Sequence, residues 1–219
     1  MEKIARFNAN LLLVHTRHAS QGIGTPSINK NNHPFTSTDH TLGFIHNGRI
    51  PEYEALKQRF QVLTECDSEI LLRIIEADDC RLQGIKDIFS MSHQGHLAAA
   101  LGEKLGCQRH LWLFRNWHRT LWIVDLREKL GQVFFCSTAD IWQAAVPDSG
   151  EKLTLLPCEE VWFFDLHEVK KYPLEMIPVQ QKPVQGQIIT GLDSEEEPLV
   201  YRGFWQRVIS FIRKMFGVK

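Results

Sequence analysis

Four short apolar runs in the second half of the chain, residues 110–114, 120–126, 132–136 and 160–165, most constrain what it can fold into. In the first, Leu111, Trp112, Leu113 and Phe114 are consecutive, and in the third Val133, Phe134 and Phe135 are. Side chains of a strand alternate between two faces, so a run that is apolar throughout needs a covering layer on each side. Sheets covered by other layers are the expectation. Residues 110–120 (HLWLFRNWHRT) are also basic and aromatic, a composition that single-stranded nucleic acid can stack on. The alternation of Trp112 and Phe114 with Leu111 and Leu113 instead favours a strand packed on both sides.

The first half supplies further elements. Residues 10–15 (NLLLVH) predict a buried strand, and residues 41–46 (TLGFIH) a second, ending at an Asn-Gly turn. Pro51 suits the first turn of a helix in which Tyr53, Leu56 and Phe60 recur at helical spacing. Residues 68–77 (SEILLRIIEA) predict a stronger helix, acidic at its start, with Ile70, Leu71, Ile74 and Ile75 on one face. Residues 82–106 are expected to be helical and broken by glycine, and a helix is expected near 138–145. Residues 1–179 thus form one domain and 180–202 a polar, acidic linker. Residues 203–219 form an amphipathic C-terminal helix, for which docking on a core is expected and a membrane surface is the alternative.

Composition narrows the function classes. Lys plus Arg number 25 against 26 Asp plus Glu, so no global field recruits nucleic acid or an acidic partner. The five cysteines are odd in number, widely spaced and without a Cys-x-x-Cys pair, the pattern of reduced thiols in a cytoplasmic protein. No secretory signal and no membrane-span-length apolar run is visible. Ten histidines raise the question of metal, but neither His-Glu-x-x-His nor a finger spacing is present. His93 and His96 read as surface residues of a helix, and no metal or cofactor is expected. No glycine-rich phosphate loop occurs either.

Four motifs follow one another between His15 and Glu69: His15-Thr16-Arg17-His18-Ala19-Ser20-Gln21-Gly22, Asn32-His33-Pro34-Phe35, His46-Asn47-Gly48 and Glu65-Cys66-Asp67-Ser68-Glu69. Together they can hold a free amino acid at both ends. Arg17 offers a planar, always charged fork for an α-carboxylate. Asp67, just before a helix, offers a fixed carboxylate for an α-ammonium. The Asn47 amide and the Gly48 N–H can stabilise an oxyanion that develops on a side-chain carbonyl. Read singly, each has a plainer role: Arg17 at a sheet edge, Asn47-Gly48 as a hairpin turn, Asp67 as a helix cap with Ser68 or Thr64 as alternatives.

In this order the motifs resemble those of the class II, N-terminal-nucleophile glutamine amidotransferases. The resemblance extends through Arg115-Asn116 and Phe134-Phe135-Cys136-Ser137-Thr138, over most of residues 10–165. It implies an α+β fold, a four-layer sandwich of two mostly antiparallel sheets between helical layers. It implies L-glutamine as ligand, with Arg17 on the carboxylate, Ser20 able to add a hydroxyl contact, and Asp67 on the amino group. Asn47 and Gly48 would form the oxyanion hole. The reaction implied is amide hydrolysis to glutamate and ammonia, delivered to a separate acceptor enzyme. The match is expected to be with small stand-alone members, because sugar-phosphate aminotransferases carry Trp after the Arg and then a Thr-His pair, where this chain has His18, Ser20 and Gln21.

The family's nucleophile is an N-terminal cysteine whose own amine is the general base. Fourteen residues precede His15 and none is Cys, so the expectation is an N-terminally incomplete domain whose nucleophile is absent. Cys66, beside Asp67, reads better as a structural thiol than as a substitute. The alternative is a non-catalytic glutamine- or glutamate-binding or scaffold protein on the same fold.

Overall fold

The computed structural model describes residues 10–16, 27–147, 149–158, 160–165 and 168–174. Arg17, Ser20, the 180–202 linker and the 203–219 helix lie outside the described residues. After a single 3-10 turn at Asn29–Asn31, the strands are β1 (Phe35–Thr36), β2 (Leu42–Arg49), β3 (His96–Leu105), β4 (Gln108–Arg115), β5 (Trp122–Leu126), β6 (Gln132–Cys136), β7 (Thr154–Leu155), β8 (Glu160–Phe164) and β9 (Val169–Pro173). The helices are α1 (Tyr53–Lys57), α2 (Asp67–Glu76), α3 (Arg81–Met91), α4 (Arg127–Leu130) and α5 (Ala139–Ala145).

Two sheets form, one in the order β1-β2-β3-β4-β8-β9 and one in the order β6-β5-β7, with antiparallel pairing at each described ladder. Strand alternation sorts the core into three slabs. Leu97, Ala99, Leu101, Trp112, Phe114, Val161 and Phe163 face Ile70, Leu71, Ile74 and Ile75 of α2 and Ile85 and Ile88 of α3. The opposite faces of the same strands put Ala98, Ala100, Leu111, Leu113, Trp162 and Phe164 against Ile123 of the second sheet and Leu121 just before it. Val124 and Leu126, on the far face of β5, meet Trp142 and Ala145 of α5. The order helix, sheet, sheet, helix is the four-layer α+β sandwich that the family resemblance implies, and it supplies the covering layers that the doubly apolar strands call for.

Two expectations are corrected. Residues 82–106 are not a broken helix: α3 ends at Met91, and His96–Leu105 is a ten-residue central strand. Its Ala98-Ala99-Ala100 run has high helix propensity, but small side chains suit a strand sandwiched between a helical layer and a second sheet, and tertiary packing overrides propensity. His93 and His96 accordingly lie on a turn and at a strand start. Residues 10–15 do not form the expected strand and belong to no sheet among the described residues. Leu11 and Leu13 pack on the inter-sheet slab, whereas Leu12 is 49% and Val14 41% exposed.

A glycine pair explains where that segment lies. Gly43 and Gly102 are directly opposed across β2 and β3. A Cβ at Gly102 would stand 2.6 Å from Cδ2 of Leu11, and one at Gly43 would stand 3.6 Å from Cδ1 of Leu13. The missing side chains make a shallow trough that seats the two leucines on the sheet.

Candidate functional site

The site residues converge where the end of β2 meets the start of α2. Asn47-Gly48 is not a hairpin turn: both residues lie within β2, opposite Ala98 and Leu97. What makes glycine necessary at position 48 is a close approach. Its φ is +156°, and a Cβ would lie 1.7 Å from the His96 carbonyl oxygen and 2.6 Å from Nε2 of His46. Any side chain there would push β2 off β3.

Two side-chain tethers bind this stretch of β2 to α2, one on each side of Asn47-Gly48. On the first, His46 is 2% exposed, with Nδ1 2.8 Å from Oγ of Ser68 and Nε2 2.9 Å from the His96 carbonyl oxygen. A carbonyl can only accept, so Nε2 carries the proton and Nδ1 accepts from the Ser68 hydroxyl. The neutral ring this requires agrees with burial, which pushes the His46 pKa below its ordinary 6.5 despite the opposing pull of Asp67. On the second, the Ile50 N–H donates to Oδ2 of Asp67 at 2.8 Å. Asp67 is 5% exposed and is the first residue of α2, where the helix dipole favours a negative charge.

Asp67 therefore does not serve as the N-cap; Cys66 occupies that position without a side-chain cap bond. The Cys66 thiol donates to Oδ1 of Asp67 at 3.8 Å and is 1% exposed, the setting of a structural cysteine. The loop before it is shaped by Glu69, whose carboxylate accepts from the N–H groups of Leu63 (3.0 Å) and Thr64 (2.7 Å) and pairs with Arg73. Burial opposes that carboxylate's charge, but the bonds from Arg73 and Thr64 outweigh it and hold its pKa low.

The residue just before the Asn32-His33-Pro34-Phe35 motif, Asn31, reaches the same loop. Asn31 is fully buried, donates from Nδ2 to Glu65 at 3.2 Å and accepts the Glu65 N–H at 3.1 Å. The His33 ring lies 4.1 Å from His15 and 4.7 Å from Phe35 between centroids, so the segment leading to Arg17 ends against this element. Among the described residues, then, the structure brings the Asn47-Gly48 stretch of β2 and Asp67 together through His46, Ser68 and Ile50, while Asn31 holds the loop that leads into α2.

Sequence reasoning placed His46 and Ser68 inside motifs without giving His46 a role or Ser68 any beyond a possible helix cap, and it passed over Asn31, which directly precedes the Asn32-His33-Pro34 motif. It also left Arg115 and Asn116 without roles. Arg115 is buried and donates from Nε to the Leu156 carbonyl and from Nη1 to the carbonyls of Asn116 (3.0 Å) and Arg119 (3.1 Å), tying β4 to the second sheet. Asn116 accepts the N–H groups of Leu97 (3.0 Å) and His118 (3.2 Å) and donates to the Gly95 carbonyl at 2.6 Å.

Among solved structures, the chain is similar to the glutamine phosphoribosylpyrophosphate amidotransferase of B. subtilis, with a TM-score of 0.53 and 20% identity over 74% of this chain and 34% of that one. The chain has the class II glutamine amidotransferase fold. Sequence similarity points the same way. It is 34% identical over 80 residues to a glutamine–fructose-6-phosphate aminotransferase of Oceanobacillus iheyensis, and 31% identical over 80 residues to that of Sulfurisphaera tokodaii. Those stretches cover 35% and 34% of this chain, and the chain spans 13% of the length of each of these curated relatives. No protein-family profile matches the sequence. No group of three potential metal ligands and no helix long and apolar enough to cross a membrane occurs among the described residues.

Proposed function

We propose that this chain is a class II glutamine amidotransferase-type domain that binds L-glutamine at the junction of β2 and α2. The observation that carries the reading is the double tether, His46 to Ser68 and Ile50 to Asp67, which fixes Asn47-Gly48 beside a buried carboxylate. Asp67 holds the α-ammonium, and Arg17 takes the α-carboxylate with Ser20 beside it. The Asn47 amide and Gly48 N–H stabilise the oxyanion formed when the side-chain amide is attacked. The products are glutamate and ammonia, and ammonia passes to an acceptor enzyme or domain. The names of the relatives, which transfer nitrogen from glutamine to phosphorylated sugars, support this division of labour.

The burial of Cys66 favours a second reading at the level of chemistry. A thiol that is 1% exposed and engaged with Asp67 is not placed to attack, so the described residues support recognition of glutamine or glutamate without hydrolysis. A ligand-protection experiment tests recognition under either reading. L-glutamine should raise the melting temperature of the purified chain, while D-glutamine and glutarate should not. Equal protection by all three, or by none, contradicts the proposed pocket.

A further inference from the structure

Beside the proposed glutamine pocket stands a cluster of basic groups that no ion pair among the described residues neutralises. Arg49, the last residue of β2, is the cross-strand partner of His96 at the start of β3. The His96 ring stacks on His118, with centroids 4.6 Å apart and planes inclined by 21°. Arg119 follows, and Arg49, His96, His118 and Arg119 are all exposed. Partial loss of solvent around the stacked rings is the largest cause holding both imidazoles below their ordinary pKa. For His96 the charges of His118, Arg119 and Arg49 add to it, and for His118 that of Arg119 does. Among the described residues no carboxylate offsets these charges at either ring.

Elsewhere the arginines that come near acids are paired. Arg73 holds Glu69 and Glu76, Arg81 holds Glu103, and Arg127 holds Asp125. Among the described residues no ion pair engages Arg49 or Arg119. Four cationic or protonatable groups left together repel one another, and such an arrangement is stabilised by an anion that bridges them.

The cluster is also held in place. The Asn116 side chain accepts the N–H groups of Leu97 and His118 and donates to Gly95, so one buried amide fixes the backbone around both histidines. Trp117 Nε1–H donates to Nε2 of His118 at 3.2 Å. An indole nitrogen only donates, so the neutral His118 ring carries its proton on Nδ1, where no described protein group accepts it. The two imidazoles are therefore positioned before any ligand arrives.

We infer that Arg49, His96, His118 and Arg119 form a binding site for the phosphate group of a small molecule. Two guanidinium forks match phosphate oxygens in bidentate fashion, and the His118 Nδ1–H and a protonated His96 complete the donor set. A phosphate carries more charge and more acceptor oxygens than a carboxylate, which suits four donors better than two. The site begins one residue beyond Gly48 on β2, yet the inference does not rest on the glutamine reading and is tested without it.

The test is NMR titration of the His96 and His118 ring protons against pH in three media of matched ionic strength: chloride, inorganic phosphate and glycerol phosphate. Glycerol phosphate should raise both apparent pKa values by about one unit, because a bound anion favours the imidazolium. Arg49→Gln and Arg119→Gln should each weaken its binding by about tenfold. Trp117 emission should follow the same isotherm. A stronger response to glycerol phosphate than to inorganic phosphate identifies a phosphorylated molecule as ligand, and an equal response identifies the free ion. Histidine titrations unchanged from chloride, or unaltered in the double arginine variant, overturn the inference whatever is found for glutamine.

Discussion

Oδ2 of Asp67 accepts the backbone N–H of Ile50 at 2.8 Å, joining the first residue of α2 to the strand that carries Asn47 and Gly48. The same carboxylate that is proposed to bind the ligand's ammonium thus also fastens the strand carrying the proposed oxyanion donors. Charge and geometry can be separated by substitution. Asp67→Asn keeps an oxygen for the Ile50 N–H and should leave stability within about 1 kcal/mol, while losing roughly tenfold or more in glutamine affinity. Asp67→Ala orphans a buried N–H and should cost about 1–3 kcal/mol by urea unfolding.

Gly48 should tolerate nothing larger. With φ at +156° and the His96 carbonyl 1.7 Å from the position of an added Cβ, Gly48→Ala should destabilise by at least about 3 kcal/mol. Gly131, at φ +66° with nothing near its would-be Cβ, is the control and should lose only about 1 kcal/mol. Urea midpoints of the two variants decide the matter; equal losses would mean that backbone conformation alone, not the approach of β3, sets the requirement.

The buried His46 gives stability a pH dependence of known sign. Its pKa is lower folded than unfolded, so below pH 6.5 the unfolded state binds more protons. The stability present above that value should fall as pH drops from 6.5 toward the folded pKa, by up to about 1.4 kcal/mol per pH unit. His96 and His118, also held low, add in the same direction. His46→Gln should flatten part of the slope in urea unfolding measured from pH 8 downward (a range chosen to span roughly two units around the imidazole value). An unchanged slope would assign the whole effect to the surface pair.

Thiol reactivity should follow burial. Cys80 and Cys107 are exposed and should react promptly with an alkylating reagent. Cys136, its pKa pushed up to about 11 by burial, should lag, and Cys66 should react only on unfolding. Rapid native-state labelling of Cys66 would show an activated thiol and reopen its place in the chemistry.

The trough at Gly43 and Gly102 should control the segment that leads to Arg17. Gly102→Val places methyl groups where Leu11 and Leu13 now lie and should expose residues 10–16 to protease at a stability cost of about 1–3 kcal/mol. Proteolysis no faster than in the unmodified protein would mean the leucines repack without leaving the sheet.

The layered fold was legible because its signal is periodic. Leu111 to Phe114 and Val161 to Phe164 carry apolar residues on both faces and so call for covering layers, while the four-layer order followed from the motifs' resemblance to the amidotransferase family. The strand at 96–105 was not legible, since Ala98-Ala99-Ala100 speaks for helix locally and only the two layers around it decide otherwise. Asn47, Gly48 and Asp67 were visible as motif positions. The bonds that unite them were not, because His46–Ser68 and Ile50–Asp67 join residues 22 and 17 apart, and that separation is invisible to local pattern. The Asn47-Gly48 turn signal misled for the same reason: the glycine answers to His96, 48 residues away in sequence, rather than to its neighbours.

The most direct test of the central claim is calorimetric titration of the purified chain with L-glutamine, run beside Asp67→Asn and Arg17→Ala. Binding by the unmodified chain that each substitution weakens by roughly tenfold or more, with folding intact by circular dichroism, is the expected result. A well-folded chain that takes up no glutamine, or that binds it equally in both variants, contradicts the assignment of this junction as a glutamine pocket.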